Sequence, residues 1–228
     1  MMKRAMKIIG VFVLAIAAGL SALVIKGLIE AKRSSVKEDY YADFSSPAPL
    51  EQKYSQPGEY EVSSFDDPSD HGAIKKVRFW YPSDLESNDK QYPVIVVVNA
   101  SGTPAFKYEP WFKRLASWGF IIVGNEDPQA GTGETDDKGV ADVTKEYAGV
   151  APLASLVENY ETIRDDVVKV RARATGAEHE DMLGRSDGYL TAWMLWQLCG
   201  DAEAASVFIS EKAEILHNNN WQDVEKNT

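Results

Sequence analysis

The stretch Tyr92–Gly124, YPVIVVVNASGTPAFKYEPWFKRLASWGFIIVG, decides the fold class. Val94 to Val98 is a continuous β-branched run, the pattern of a strand covered on both faces. Asn99 to Thr103 interrupts it with small, turn-forming residues. From Phe106 to Trp118 the apolar positions Trp111, Phe112, Leu115 and Trp118 recur near helical spacing, with Lys113 and Arg114 on the other side. Gly119 stops that helix, and Phe120 to Val123 begins a second buried strand. Two buried strands joined by a crossover helix form a parallel βαβ unit, which makes the chain α/β.

Outward from this unit, Glu59–Phe65 and Ala73–Tyr81 read as two antiparallel strands joined through the turn-rich 66–72 segment. Val77, Phe79 and Tyr81 alternate with Lys76, Arg78 and Trp80, and Pro82 ends the second strand. An acidic, Gly-rich loop spans Asn125–Gly139. Residues 150–163 read as a helix, 167–173 as a strand, and Asp187–Leu198 as a helix with Leu190, Trp193, Met194 and Leu198 on its apolar face, stopped by Gly200. Asp201 caps a last helix expected to run to about Leu216. Beyond it, residues 217–228 form a polar tail expected to fray.

The 228 residues suit one domain plus an anchor. A net charge of -11 argues against nucleic acid as a partner, because such proteins carry a basic footprint. One cysteine, Cys199, excludes an internal disulfide and a structural zinc cluster. The three histidines are scattered, so neither a metal nor a cofactor is expected. At the N-terminus, Lys3, Arg4 and Lys7 precede an uncharged apolar run from residue 8 to 25. Its length matches a membrane span of roughly 17–25 residues better than the 7–15 of a cleaved signal core. Residues 1–30 are therefore expected to be a signal anchor, with a cleaved signal peptide as the alternative, and the domain outside the cytoplasm. Residues 31–57, rich in Ser, Pro, Lys and Glu, read as a flexible tether ahead of a domain over 58–216.

The motifs Tyr92-Pro93-Val94-Ile95-Val96, Asn99–Gly102 and Leu115–Val123 together resemble the α/β-hydrolase family, in the esterase branch of dienelactone hydrolases and chlorophyllase-like and cutinase-like polyester hydrolases. The likeness extends upstream over Gly58–Pro82 and downstream to residue 179. It implies a mostly parallel sheet flanked by helices and an ester substrate, small or polymeric. Gly176-Ala177-Glu178-His179-Glu180-Asp181-Met182, followed by Tyr189-Leu190-Thr191-Ala192-Trp193, resembles the family's histidine segment and implies His179 as the catalytic base. Ala130-Gly131-Thr132-Gly133-Glu134-Thr135-Asp136 resembles the acid loop and implies Asp136 as the triad acid, with Asp137 and Glu134 as alternatives. The 99–102 loop would be the oxyanion loop, with Ser101 and Gly102 at its centre and the Ser101 amide as donor.

The nucleophile is missing from this pattern. An elbow serine needs G-x-S-x-G on a sharp turn from a strand into a helix, upstream of the acid and the histidine. The one G-x-S-x-G, Gly184-Arg185-Ser186-Asp187-Gly188, follows a charged stretch and lies after His179. Ser186 or Asp187 reads instead as a helix N-cap. Ser155 has neither flanking glycine nor preceding strand. Because 120–127 resembles the segment before the elbow and 130 onward the segment after it, the chain reads as a truncated hydrolase with an internal deletion near 128–130. Two functions follow as expectations: an esterase-like hydrolase, or a non-catalytic, membrane-tethered binding or remnant domain. A cation-binding loop over 126–137 ranks below both, since the D-x-D-x-D-G spacing is absent. Without the elbow strand, the all-apolar 94–98 strand should either recruit the 167–173 strand or stand as an open edge.

Overall fold

The structure, a computed structural model, describes residues 21, 26–27, 33–68, 76–98, 103–126, 156–178 and 181–228. The chain divides into two units, Met1–Ser35 and Val36–Thr228, and the fold described is that of the second. Of the expected anchor over 8–25, only Ser21 falls among the described residues. Among those residues no helix is long and apolar enough to cross a membrane.

The βαβ unit is present. Strand β3 (Val94–Val97) leads through a 3-10 turn at Ala105–Tyr108 into helix α2 (Glu109–Ala116) and on to β4 (Ile121–Asn125). β3 and β4 pair in parallel, with Ile95 opposite Ile122 and Val97 opposite Gly124. β1 (Val62–Asp67) and β2 (Val77–Pro82) form the expected antiparallel pair, and β2 continues antiparallel onto β4. The sheet order is β1-β2-β4-β3, so the sheet is mixed, with one parallel pair, rather than mostly parallel. Trp80, expected on the polar side of β2, is fully buried and packs edge-on to Phe112 at 4.8 Å. Gly124 permits this layer to close, because a Cβ there would lie 2.5 Å from the Ala105 side chain.

Helix α2 buries Phe112, Leu115 and Ala116 on the sheet. It also buries Arg114, which periodicity assigns to solvent with Lys113. Gly119, at φ 91°, turns the chain out of the helix into β4, a conformation that favours glycine.

Three expectations are corrected outside the βαβ unit. Part of the supposed tether is helix α1 (Pro49–Ser55), opened by proline in its first turn and burying Glu51 and Tyr54. Glu214 accepts from the amides of Leu50 at 2.8 Å and Glu51 at 2.9 Å, so a carboxylate far along the chain caps this helix. The helix after Asp201 (α6, Ala202–Ala205) is four residues long, although Asp201 does cap it through Ala204 N at 2.9 Å. Ser210, at φ 70°, takes the chain out of helical geometry well before Leu216. The supposed tail is strand β6 (Trp221–Lys226), paired antiparallel with β5 (Val170–Ala174) in a separate two-stranded sheet.

Helix α3 (Leu156–Thr162) covers the described end of the expected 150–163 helix. Helix α5 (Asp187–Cys199) ends at Gly200 in left-handed conformation, φ 68°, with Asp201 N donating to Leu195 O at 3.2 Å. Its buried side is Tyr189, Thr191, Ala192 and Leu195, whereas Leu198, expected in the core, is 46% exposed. The reason is α1: Gly188 lies against its backbone, where a Cβ would come within 2.4 Å of the Glu51 carbonyl oxygen. That contact fixes which side of α5 faces inward.

Among the described strands β3 ends the sheet, and β5 has not moved in beside it. Ile95 and Val97 pack on the core, while Val94 and Val96 stand 55% and 72% exposed. An edge strand with a bare apolar row is a template for unwanted pairing. Val96→Lys is therefore expected to lower concentration-dependent association in light scattering, with a stability change within about 0.5 kcal/mol, typical of an exposed site. Loss of more than about 2 kcal/mol would mean that Val96 is covered.

Candidate functional site

The residues that the resemblance assigns to chemistry, His179, Asp136 (with Asp137 and Glu134), Ser101 and Gly102, all lie outside the described residues. So does Ser155. What can be described is the frame that carries them. The parallel β3–β4 pair delivers both of its C-terminal ends to one edge of the sheet, Val97 beside Gly124. The 99–102 segment departs from one end and the 127–139 segment from the other. Crevices at the carboxyl ends of parallel strands are where α/β folds place ligands.

At that edge Glu126 is 8% exposed and 3.3 Å from Arg78 Nε. Burial pushes its carboxyl up, while the Arg78 charge and a hydrogen bond from the Phe106 backbone pull it down. Asp66 receives Arg78 and Lys76 on the solvent side, and the Arg78 hydrogen bond draws its carboxyl down to about 2. Glu126 thereby ties β4 and β2 to the start of the 105–108 turn.

The segment bearing residue 179 leaves β5 through Gly176, at φ 65°. It returns at Asp181, whose amide donates to Glu178 O at 3.1 Å and whose carboxylate accepts from Glu178 N at 3.0 Å. Arg185 reaches back to Thr175 O at 3.0 Å, drawing the two shoulders together. These shoulders, with Tyr40, Asp43, Phe44 and Ser45, line a cavity of about 490 Å³ that includes Gly176, Asp181, Gly184 and Arg185. Its walls are about equally polar and apolar, and its size falls within the range of small-molecule sites, about 300–1,000 Å³.

The G-x-S-x-G stretch borders this cavity and has no elbow geometry. Helix α4 (Met182–Arg185), not a strand, precedes Ser186. Ser186 is right-handed helical at φ -86° and ψ -12°, and its hydroxyl donates to Met182 O at 2.7 Å. It occupies the position before α5 without capping it by its side chain, and Asp187 is the first residue of that helix rather than its cap.

Asp187 has another use, which the sequence reading missed. Its carboxylate is 1% exposed, accepts from the Tyr40 hydroxyl and from Trp111 Nε1 at 2.6 Å, and forms an ion pair with Arg114, whose Nε is 3.0 Å away. The same guanidinium, 2% exposed, donates to Tyr54 O at 2.8 Å, to Thr191 Oγ1 at 2.8 Å and, through Nε, to the Tyr40 hydroxyl at 2.9 Å. Burial raises the Asp187 carboxyl above its ordinary value, opposed by the Arg114 charge and the hydrogen bonds from Tyr40 and Trp111. Burial and the Asp187 charge likewise raise the Tyr40 phenol. Both carboxylate oxygens are engaged, so the group joins α2, α5 and the segment before α1, and its burial closes it to a substrate. One signal was available. Trp111 and Arg114, three residues apart, share one side of α2, and a polar pair beside a core-facing row implies a buried acceptor.

The chain matches no protein-family model and no curated protein.

Proposed function

We propose that this chain is a carboxylic-ester-hydrolase-type α/β domain, held outside the cytoplasm by a single pass through residues 8–25, that does not turn over esters and acts as a tethered binding domain. In this reading the truncated α/β-hydrolase sheet retains the acid and base segments, Asp136 and His179, and the oxyanion loop at Ser101 and Gly102. It lacks an elbow serine for them to activate among the described residues. One observation carries the proposal: Ser186, in the one G-x-S-x-G of the chain, has its hydroxyl committed to Met182 O at a helix–helix junction. The edge of β3, where an elbow strand would stand in the family and where no described strand pairs, supports it. The binding surface is the 490 Å³ cavity at the shoulders of the residue-179 segment.

A second reading, an active esterase using Asp136 and His179, draws support from the parallel β3–β4 pair, which sends the 99–102 and 127–139 segments off the same sheet edge. A fluorophosphonate probe and p-nitrophenyl butyrate separate the two. The tethered binding domain is expected to show no labelling and hydrolysis no faster than buffer. Labelling of folded protein that disappears in Ser101→Ala or His179→Ala would establish the esterase instead, and labelling lost only in Ser186→Ala would overturn the structural assignment of that serine.

A further inference from the structure

Among the described strands β5 pairs only with β6, and its first residues and those just before it line a second cavity of about 330 Å³. Its apolar walls include Tyr160, Ile163, Val168 and Trp193, and two cationic side chains, Lys169 and Arg171, also line it. Both cations are withdrawn from solvent: Lys169 is 7% exposed and the Arg171 side chain 10%. Their carboxylate partners lie outward, Asp165 on Lys169 at 3.0 Å with a fully solvated side chain, and Glu225 on Arg171 Nη2 with a side chain about half exposed. Lys169 is otherwise satisfied by Ile163 O at 2.7 Å and stands 4.9 Å over the Tyr160 ring. Arg171 is not: its Nε–H is buried and has no hydrogen-bond partner.

A buried, charged donor without an acceptor is rare in folded proteins, because it has lost water and gained nothing in return. Its residue lines an open cavity, so a ligand entering there can offer an acceptor to the guanidinium. The guanidinium has five N–H donors and gives one, on Nη2, to Glu225, which leaves donors in its plane that suit a carboxylate oxygen. Lys169, two residues earlier and on the same side of the strand, adds a second positive charge. Everything else on the walls is apolar, and the rings of Trp193 and Tyr160 favour a flat partner. The volume, at the lower end for small-molecule sites of about 300–1,000 Å³, admits a single-ring ligand.

We propose that this cavity is a binding site for a small aromatic monocarboxylate, its carboxylate accepting from the Arg171 guanidinium beside Lys169 and its ring lying between Ile163, Val168 and Trp193. The site is separate from the residue-179 cavity and does not rest on the ester-hydrolase reading. The test is a calorimetric titration of the full chain with 3-phenylpropionate and with its neutral isostere 3-phenylpropionamide. The acid is expected to bind and the amide to bind about tenfold or more weakly, the usual scale for loss of a charged hydrogen bond. Arg171→Met should weaken the acid by a similar factor. Arg173→Met, on the same strand but half exposed and paired with Asp223, should leave binding unchanged. Equal affinity for acid and amide, no binding of the acid at millimolar concentration, or full affinity in a folded Arg171→Met variant would each overturn the assignment. The acid–amide comparison on the unmodified chain decides the matter even if the Arg171 variant does not fold.

Discussion

Asp187→Ala is expected to destabilise the domain by about 3–5 kcal/mol, the scale of removing one partner from a buried ion pair. The magnitude follows from what stays behind. Arg114 is 2% exposed and cannot reach water when its counter-charge is removed. Trp111 Nε1 and the Tyr40 hydroxyl lose their acceptor at the same time. Ser186→Ala, one residue away in the same G-x-S-x-G, removes only a hydroxyl bonded to Met182 O and should cost about 0.5–1 kcal/mol. Urea unfolding of both variants measures the contrast directly, as a shift in midpoint at unchanged slope. The double variant Asp187→Ala/Arg114→Met should lose less than the sum of the two single losses, because each single change strands a charge that the double change removes. Similar small losses for Asp187→Ala and Ser186→Ala would mean that the carboxylate is solvated and free for other work. In that event the motif would regain its claim on chemistry.

That contrast also explains how far the sequence could be read. The βαβ unit was legible because each of its parts carries a local signal: the β-branched run of β3, helical spacing through Phe112 and Leu115, and Gly119 at positive φ. The α5 stop at Gly200 and the cap at Asp201 were legible for the same reason, since left-handed turns and N-caps are decided within a few residues. Arg114 was not. Periodicity sorts side chains by polarity, and a guanidinium goes inward only when an acceptor waits there; Asp187, 73 residues on, supplies it. The inward side of α5 likewise depends on Gly188 meeting the backbone of α1. β6 escaped notice because Trp221-Gln222-Asp223-Val224 breaks strict alternation, and the pairing with β5 shifts register between Arg171 and Arg173. The residues assigned by resemblance, Ser101, Gly102, Asp136 and His179, gain only their frame from the described residues: the shared sheet edge and the cavity shoulders.

Glu51→Ala is expected to cost about as much as Asp187→Ala, 3–5 kcal/mol, for a different physical reason. Glu51 is 1% exposed, and its hydrogen-bond partners among the described residues are uncharged. Its charge is met by neutral donors: Asn218 Nδ2 at 2.8 Å, Asn220 Nδ2 at 2.8 Å, Trp221 Nε1 at 2.5 Å and the Ser46 hydroxyl. Hydrogen bonds to a charged acceptor contribute about 1.5–3 kcal/mol each, and every buried donor left without one costs about 1–3 kcal/mol. Asn218 keeps one alternative, the Tyr189 hydroxyl at 2.7 Å, while Trp221 Nε1 keeps none. The damage should therefore travel in one direction. Residues 218–221 bring the chain into β6, and β6 is the sole partner of β5 among the described strands. Hydrogen exchange in Glu51→Ala should accelerate first at the β5–β6 pairs, Val170 with Lys226 and Ala174 with Trp221, before the β2–β4 pairs respond. Asn220→Ala, which removes one donor and leaves the carboxylate three, should show the same pattern at about 1 kcal/mol. Uniform acceleration across both sheets would mean that they unfold as a single unit. Protection unchanged at β5 would mean that the C-terminal strand is held by its ladder alone and that the buried carboxylate serves only α1.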